Sequence, residues 1–226
     1  GELDVTQEIV IEAINSNDNL NQKYKTIALN LLEAITSKYP NYNLRIFYEN
    51  IKTMKIVEYT IEEFREAFPE AKGAGAQYNY ALNEIITIDE VEWEVLYHEM
   101  FHATNTFYRE QGNLIIRKTE DNVSLNEAMT DLGASLVLPN KNSYVFDRKI
   151  LEYLLSNVDY TLEDYNNKGI DYLLEKLSNK YPNIDFNYIN ETLNAINTRL
   201  IYLGKQTRID ACPDLINELF ALCLEN

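Results

Sequence analysis

The chain holds only two histidines, His98 and His102, and both fall in the stretch YHEMFHATN, residues 97–105. On an α-helix, residues four apart are offset by about 40° around the axis, so the two imidazoles would project side by side from adjacent turns. Neutral imidazole is a favoured zinc ligand, and two rings placed this way can converge on one ion. Glu99 follows the first histidine, where its carboxylate would reach a metal-activated water without ligating the ion. That division of labour is the content of an H-E-x-x-H helix. The bland alternative is a pair of hydrogen-bonded histidines on an amphipathic helix. A third ligand would separate the two.

The stretch SLNEAMTDLGASL, residues 124–136, offers one. Glu127 would lie in the first turn of the next helix, with Asp131 one turn further along the same face. Ser124-x-x-Glu127 is also the pattern of a capping box, in which the glutamate merely holds a helix terminus. Its place after an H-E-x-x-H, inside N-E-A-M-T-D, favours the ligand.

Together, H-E-x-x-H and N-E-A-x-x-D resemble the gluzincin metallopeptidases, the thermolysin-like branch of the zincins. The resemblance covers mainly residues 74–138. It implies zinc bound by His98, His102 and Glu127, with Glu99 as general base and Asp131 supporting His98 from behind. Carboxylates in that supporting role fix the imidazole tautomer and raise its basicity. The gap between His102 and Glu127 is somewhat longer than in the thermolysin-like families. Those families also usually carry a further histidine near the C-terminus that donates to the oxyanion, and this chain has none. A looser resemblance is to the anthrax lethal factor catalytic domain, also gluzincin-like and also lacking that histidine, with a tyrosine in its place.

For the oxyanion, a phenol beside the metal can donate to developing negative charge. Tyr144, in KNSYVFDRK after the glutamate helix, is the first choice among the 17 tyrosines, because a turn there can bring the chain back over the metal. Tyr202, Tyr108 and Arg208 follow. Zincins commonly hold peptide as an added antiparallel strand on the edge of a small sheet just before the zinc helix. GAGAQYNYALNEIITID occupies that place, and Gly75, Ala76 and Tyr78 are the expected contacts, since small residues from Gly73 to Ala76 let a second backbone approach.

Glycine and proline are scarce, and apolar residues recur at helical spacing, so most of the chain should be helical. DVTQEIVIEAINS and LNQKYKTIALNLLEAITSKY read as two helices broken near Asn17 to Asn19. NLRIFYE, 43–49, reads as a strand, and KIVEYT as another. Thr60 with Glu63 is a capping box opening TIEEFREAF. A hairpin is expected from one strand around Ala74 to Tyr78 and a return from Glu84 to Ile88, with a turn near Ala81 to Asn83. The zinc helix should begin at about Glu90, a loop should run from Glu110 to Asn122, and a helix should start near Leu125. The C-terminal half should be largely helical, with NYINETLNAINTRLIYLG ending at Gly204.

At 226 residues the chain is long enough for one domain with a real core. The expected fold is α+β and predominantly helical, zincin-like. An N-terminal lobe, 1–108, would hold the sheet and zinc helix, and a helical C-terminal lobe would span 109–226, with the active cleft between them. With 46% hydrophobic and 25% charged residues the composition is that of a soluble globular protein, and no apolar run approaches the length of a bilayer span. The formal charge of −16 would repel nucleic acid and anionic lipid, and no basic cluster offsets it. Cys212 and Cys223, on one continuous helix, would stand roughly 16 Å apart by the helical rise, beyond disulfide reach. They read as buried, reduced thiols. The sequence opens Gly-Glu-Leu-Asp without methionine, as a trimmed or mature chain would, so a secreted or cell-surface protein whose export signal lay upstream is one expectation.

The reading is a zinc metallopeptidase acting on peptide or protein. Its alternatives are a catalytically weak or inactive zincin-fold binding domain and a zincin-fold hydrolase of a non-protein amide.

Overall fold

The computed structural model describes residues 4–70, 75–111, 114–118, 123–140 and 143–200. The chain is α+β and mainly helical, with a three-stranded mixed sheet and a separate two-stranded hairpin. It divides into two compact units, one drawn from Gly1–Thr119 and Thr130–Asn140, the other from Glu120–Met129 and Lys141–Asn226.

The first unit opens with the two expected helices, α1 (Gln7–Ser16) and α2 (Gln22–Lys38). Thr6 and Asn21 cap them, their side chains accepting from the amides of Ile9 and Tyr24. Between the helices the buried Asn17 donates to the carbonyls of Ile51 and Met54 at 2.9 and 3.0 Å. Val10, Ile14, Ile27, Leu31 and Ile35 supply the apolar face that these helices bury.

The strand expected over 43–49 is instead a helix, α3 (Arg45–Ile51). The alternation of Leu44, Ile46 and Tyr48 suggested period two. The side chains that are buried, Leu44, Phe47 and Ile51, follow helical spacing instead. β1 (Lys55–Tyr59) does form, and Thr60 with Glu63 makes the capping box that starts α4 (Ile61–Ala67). The hairpin is β2 (Ala76–Asn79) returning through β3 (Glu84–Ile88), antiparallel with Tyr78 opposite Ile85. β1 joins the far side of β3 in parallel, giving the order β1-β3-β2. β2 is therefore an edge strand.

The histidine helix, α5 (Trp93–His102), begins three residues later than the expected Glu90. Glu92 is its N-cap and makes no side-chain cap bond. The loop expected from Glu110 to Asn122 is in large part a hairpin, β4 (Phe107–Gln111) paired antiparallel with β5 (Leu114–Lys118). Two short β-prone runs flank a Gly-Asn turn signal there, a combination that favours a hairpin.

α6 (Val123–Ala134) is one continuous helix whose first half belongs to the second unit and whose second half belongs to the first. Gly133 lets it approach α5 closely: a Cβ at that position would fall 2.2 Å from Cζ of Phe101. Phe101 is fully buried and meets Tyr42 edge-on, so its ring has little room to yield. Gly133→Ala is therefore expected to cost about 1–3 kcal/mol despite alanine's better helix propensity. Thermal denaturation should show a melting point several degrees lower; an unchanged one would mean the helices are not held this closely.

The second unit contains the start of α6 with α7 (Val145–Leu155), α8 (Leu162–Lys180) and α9 (Phe186–Leu200). α8 departs from helical geometry at Gly169, where φ is +74°. Leu151, Leu154, Leu173, Leu177, Phe186 and Leu193 form its core. Gly204, Tyr202, Arg208, Cys212 and Cys223 lie outside the described residues, as do Gly73 and Ala74. Among the described residues no helix is long and apolar enough to cross a membrane.

Candidate metal centre

Both histidines lie on α5, with ring centroids 4.9 Å apart and planes at 80°. His98 is buried and His102 half-buried. His102 is the last helical residue, so its place depends on how α5 ends. The carbonyls that a helix C-terminus leaves without partners find one in Asn50. Its side-chain amide donates to the carbonyls of Ala103 and Thr106 at 2.8 and 2.7 Å. Thr104 and Asn105, just beyond, are held by the Tyr42 hydroxyl.

α6 addresses both rings from behind. Asp131, fully buried, places Oδ1 3.3 Å from Nδ1 of His98, the pairing the sequence reading expected. The neighbouring Thr130 places its hydroxyl 3.5 Å from Nδ1 of His102. With Nδ1 of each ring turned to α6, Nε2 is the nitrogen that would be left to ligate a metal.

Glu127 stands one turn before Asp131 on the same helix, so the segment that supports His98 also carries the third donor. His98, His102 and Glu127 each offer one ligand atom, and these atoms lie within 4.8 Å of one another. Donors around a tetrahedral zinc are roughly 3.4 Å apart, from bonds of about 2.0–2.1 Å. Two imidazoles and a carboxylate, backed by Asp131 and Thr130, make a donor set that fits a divalent metal ion. The capping-box alternative for Glu127 is not realised in its expected form. Ser124 lies inside α6, and its hydroxyl donates to Asp147 at 2.5 Å.

Glu99 is 8% exposed. Its Oε2 accepts the backbone N–H of Tyr78 at 2.7 Å, so the carboxylate beside His98 is tied to the edge strand of the sheet.

The three expected substrate contacts separate by direction. Gly75 turns its carbonyl inward, accepting from the amide of Ile88 at 3.0 Å, so in an antiparallel pair Ala76 and Tyr78 face the outer edge. The smallness of Gly75 serves the protein's own packing: a Cβ there would meet Cγ2 of Val91 at 2.8 Å. Ala76 presents its backbone outward, and among the described residues no strand pairs with that edge. The phenol of Tyr78 donates to Oδ1 of Asn83 at 2.7 Å, and burial raises its pKa while the nearby Arg109 charge opposes the rise.

Tyr144 is half-buried in the second unit, at the N-cap of α7, with left-handed backbone at φ 52°. A bulky residue rarely adopts that conformation without a local reason. The oxyanion role given to Tyr144 rests on its place in the sequence. Tyr108 lies on β4 with its ring 6.4 Å from that of Tyr80. Tyr202 and Arg208 lie outside the described residues.

Sequence reasoning missed Thr130, Asn50 and the Tyr78 amide. Thr130 was accessible as the neighbour of Asp131 on a helix already assigned to the histidines. Asn50 was not, because its role depends on long-range contacts that no local pattern announces. Compared with family models, with curated proteins and with solved structures, the chain matches none.

Proposed function

We propose that the protein is a zinc-dependent peptidase of zincin type, with His98, His102 and Glu127 as metal ligands. The observation that carries this reading is Glu99. Beside a group of three metal-type donors, a nearly buried carboxylate that does not belong to the group is held in place by the sheet edge. A purely structural metal site has no use for it. When bound, zinc supplies Lewis acidity that polarises a carbonyl and acidifies a water near neutral pH.

The chain's own residues supply the rest. The outer edge of β2, at Ala76, pairs with no strand among the described residues and is the proposed seat of an extended peptide added as a strand. Glu99 accepts a proton from the attacking water as the water oxygen bonds to the carbonyl carbon. It then delivers that proton to the leaving nitrogen as the C–N bond breaks, giving a carboxylate and an amine. Asp131 and Thr130 keep the two imidazoles oriented. A phenol, Tyr144 first, is the proposed donor to the oxyanion.

A second reading, a zincin-fold domain that binds peptide without cutting it, draws on the absence of a third histidine. A zincin-fold hydrolase of a non-protein amide would use the same residues on another substrate. Incubating the zinc-loaded protein with a diverse peptide library, with and without a chelator, separates these readings. Cleavage that disappears on chelation and returns with zinc is expected. A loaded protein that leaves every peptide intact would overturn the peptidase.

A further inference from the structure

We infer that the backbone N–H of Tyr78 is a positioning donor for Glu99, and that it sets the register in which an added peptide strand meets the metal centre. The register half of this inference rests on the peptidase reading above. The amide lies 2.7 Å from Oε2 of Glu99. Gly75, and by alternation Gln77 and Asn79, direct their backbone groups to β3, so this donor takes no part in the β2–β3 ladder.

An outward N–H on an edge strand ordinarily meets water or an incoming strand. Here it holds the carboxylate next to a metal ligand, and hydrogen bonds from backbone amides to carboxylates are short and strong. A long, flexible side chain is thereby referenced to rigid backbone. The strand is anchored in turn: the Tyr78 phenol donates to Asn83, and Asn83 donates to the carbonyl of Asn50 at 2.8 Å. Asn50 also holds the end of α5. The base and the helix that carries it are thus tied to the same buried amides.

The register follows from direction. A peptide residue opposite Ala76 on an added antiparallel strand exchanges both backbone hydrogen bonds with it. Two residues toward the peptide's N-terminus, the residue opposite Tyr78 donates its N–H to the Tyr78 carbonyl. Its own carbonyl would normally accept from the Tyr78 amide, which Glu99 already occupies. That carbonyl is the one set against the base instead of the ladder, and it is the carbonyl that is cut. The residue opposite Ala76 is then the second one on the leaving side.

The positioning is tested without activity by residue-resolved amide exchange on the metal-free protein. In Glu99→Ala the Tyr78 amide should exchange at least about tenfold faster, while the ladder amides of Gln77 and Asn79 keep their rates. An unchanged Tyr78 rate would overturn the inference. Should the ladder amides accelerate too, the deciding variant leaves Glu99 intact and places the α-hydroxy acid of tyrosine at position 78, so that an ester oxygen replaces the N–H. Its kcat should fall about 10- to 100-fold at unchanged KM and zinc content, the range expected of a misplaced catalytic group. An unchanged kcat would overturn the positioning role.

N-methylation of a cleaved peptide reads the register. Methyl groups on the amide of the cut residue and on that of the second residue after the cut should raise KM about tenfold or more, and those on the residue that precedes the cut residue and on the third after the cut should not. The opposite alternation would overturn the register. A protein that cuts no peptide would remove the peptidase reading yet leave the exchange result standing.

Discussion

Glu99→Gln is expected to lower peptide hydrolysis by about 10²–10⁴-fold while zinc stays bound, the range seen when a general base is removed. Glutamine has nearly the shape of glutamate, and its amide oxygen can still accept the Tyr78 N–H that Oε2 accepts at 2.7 Å. What it loses is the capacity to take a proton from water and return it to the leaving nitrogen. Because Glu99 lies outside the group of three metal-type donors, the variant should load as wild type does. Steady-state kinetics with metal analysis on the same preparations reads both quantities. Full activity in a zinc-loaded Glu99→Gln would remove Glu99 as the base. Loss of zinc together with activity would mean that Glu99 is a ligand.

Asp131→Ala should weaken zinc affinity by about 10- to 100-fold, as expected when the group behind a ligating histidine is removed. Asp131 is fully buried, with Oδ1 3.3 Å from Nδ1 of His98. Without it, His98 loses the partner that fixes its tautomer and aims Nε2. Thr130 stands behind the other ring through a single hydroxyl at 3.5 Å, so Thr130→Ala should weaken affinity less. Competition titrations against a zinc-binding dye give both constants. Equal losses, or a wild-type constant for Asp131→Ala, would show that α6 does not orient the rings in this way.

The centre was legible in the sequence because its parts are local. His98 and His102 lie one turn apart on one helix, with Glu99 beside the first, and Glu127 and Asp131 lie one turn apart on another, and helical geometry alone puts each pair on one face. Thr60 and Glu63 were legible for the same reason, since a capping box closes within one turn. What failed to read was decided elsewhere. Residues 43–49 alternate like a strand, yet Phe47 and Ile51 are buried on one side of a helix, so tertiary packing overrode a weak local preference. The Gly-Asn signal in the segment read as a loop falls in sequence between β4 and β5, and each β-prone run beside it is only five residues long and interrupted by charged residues. The roles of Asn50 and of the Tyr78 amide lay beyond any motif. One depends on carbonyls more than fifty residues away, the other on a backbone group that every residue but proline possesses.

A glycine on the strand before the histidine helix, Gly75, reads as room for substrate. Its missing Cβ is filled by Val91 of the same chain, and the outward-facing backbone belongs to Ala76.

A metal centre in this chain requires Glu127 to complete the site with the two histidines. The most direct measurement is the zinc content of the wild-type protein beside Glu127→Ala, prepared and dialysed together. Zinc retained by the wild type and lost from Glu127→Ala, with both proteins folded, is the predicted result; equal zinc in the two would contradict it.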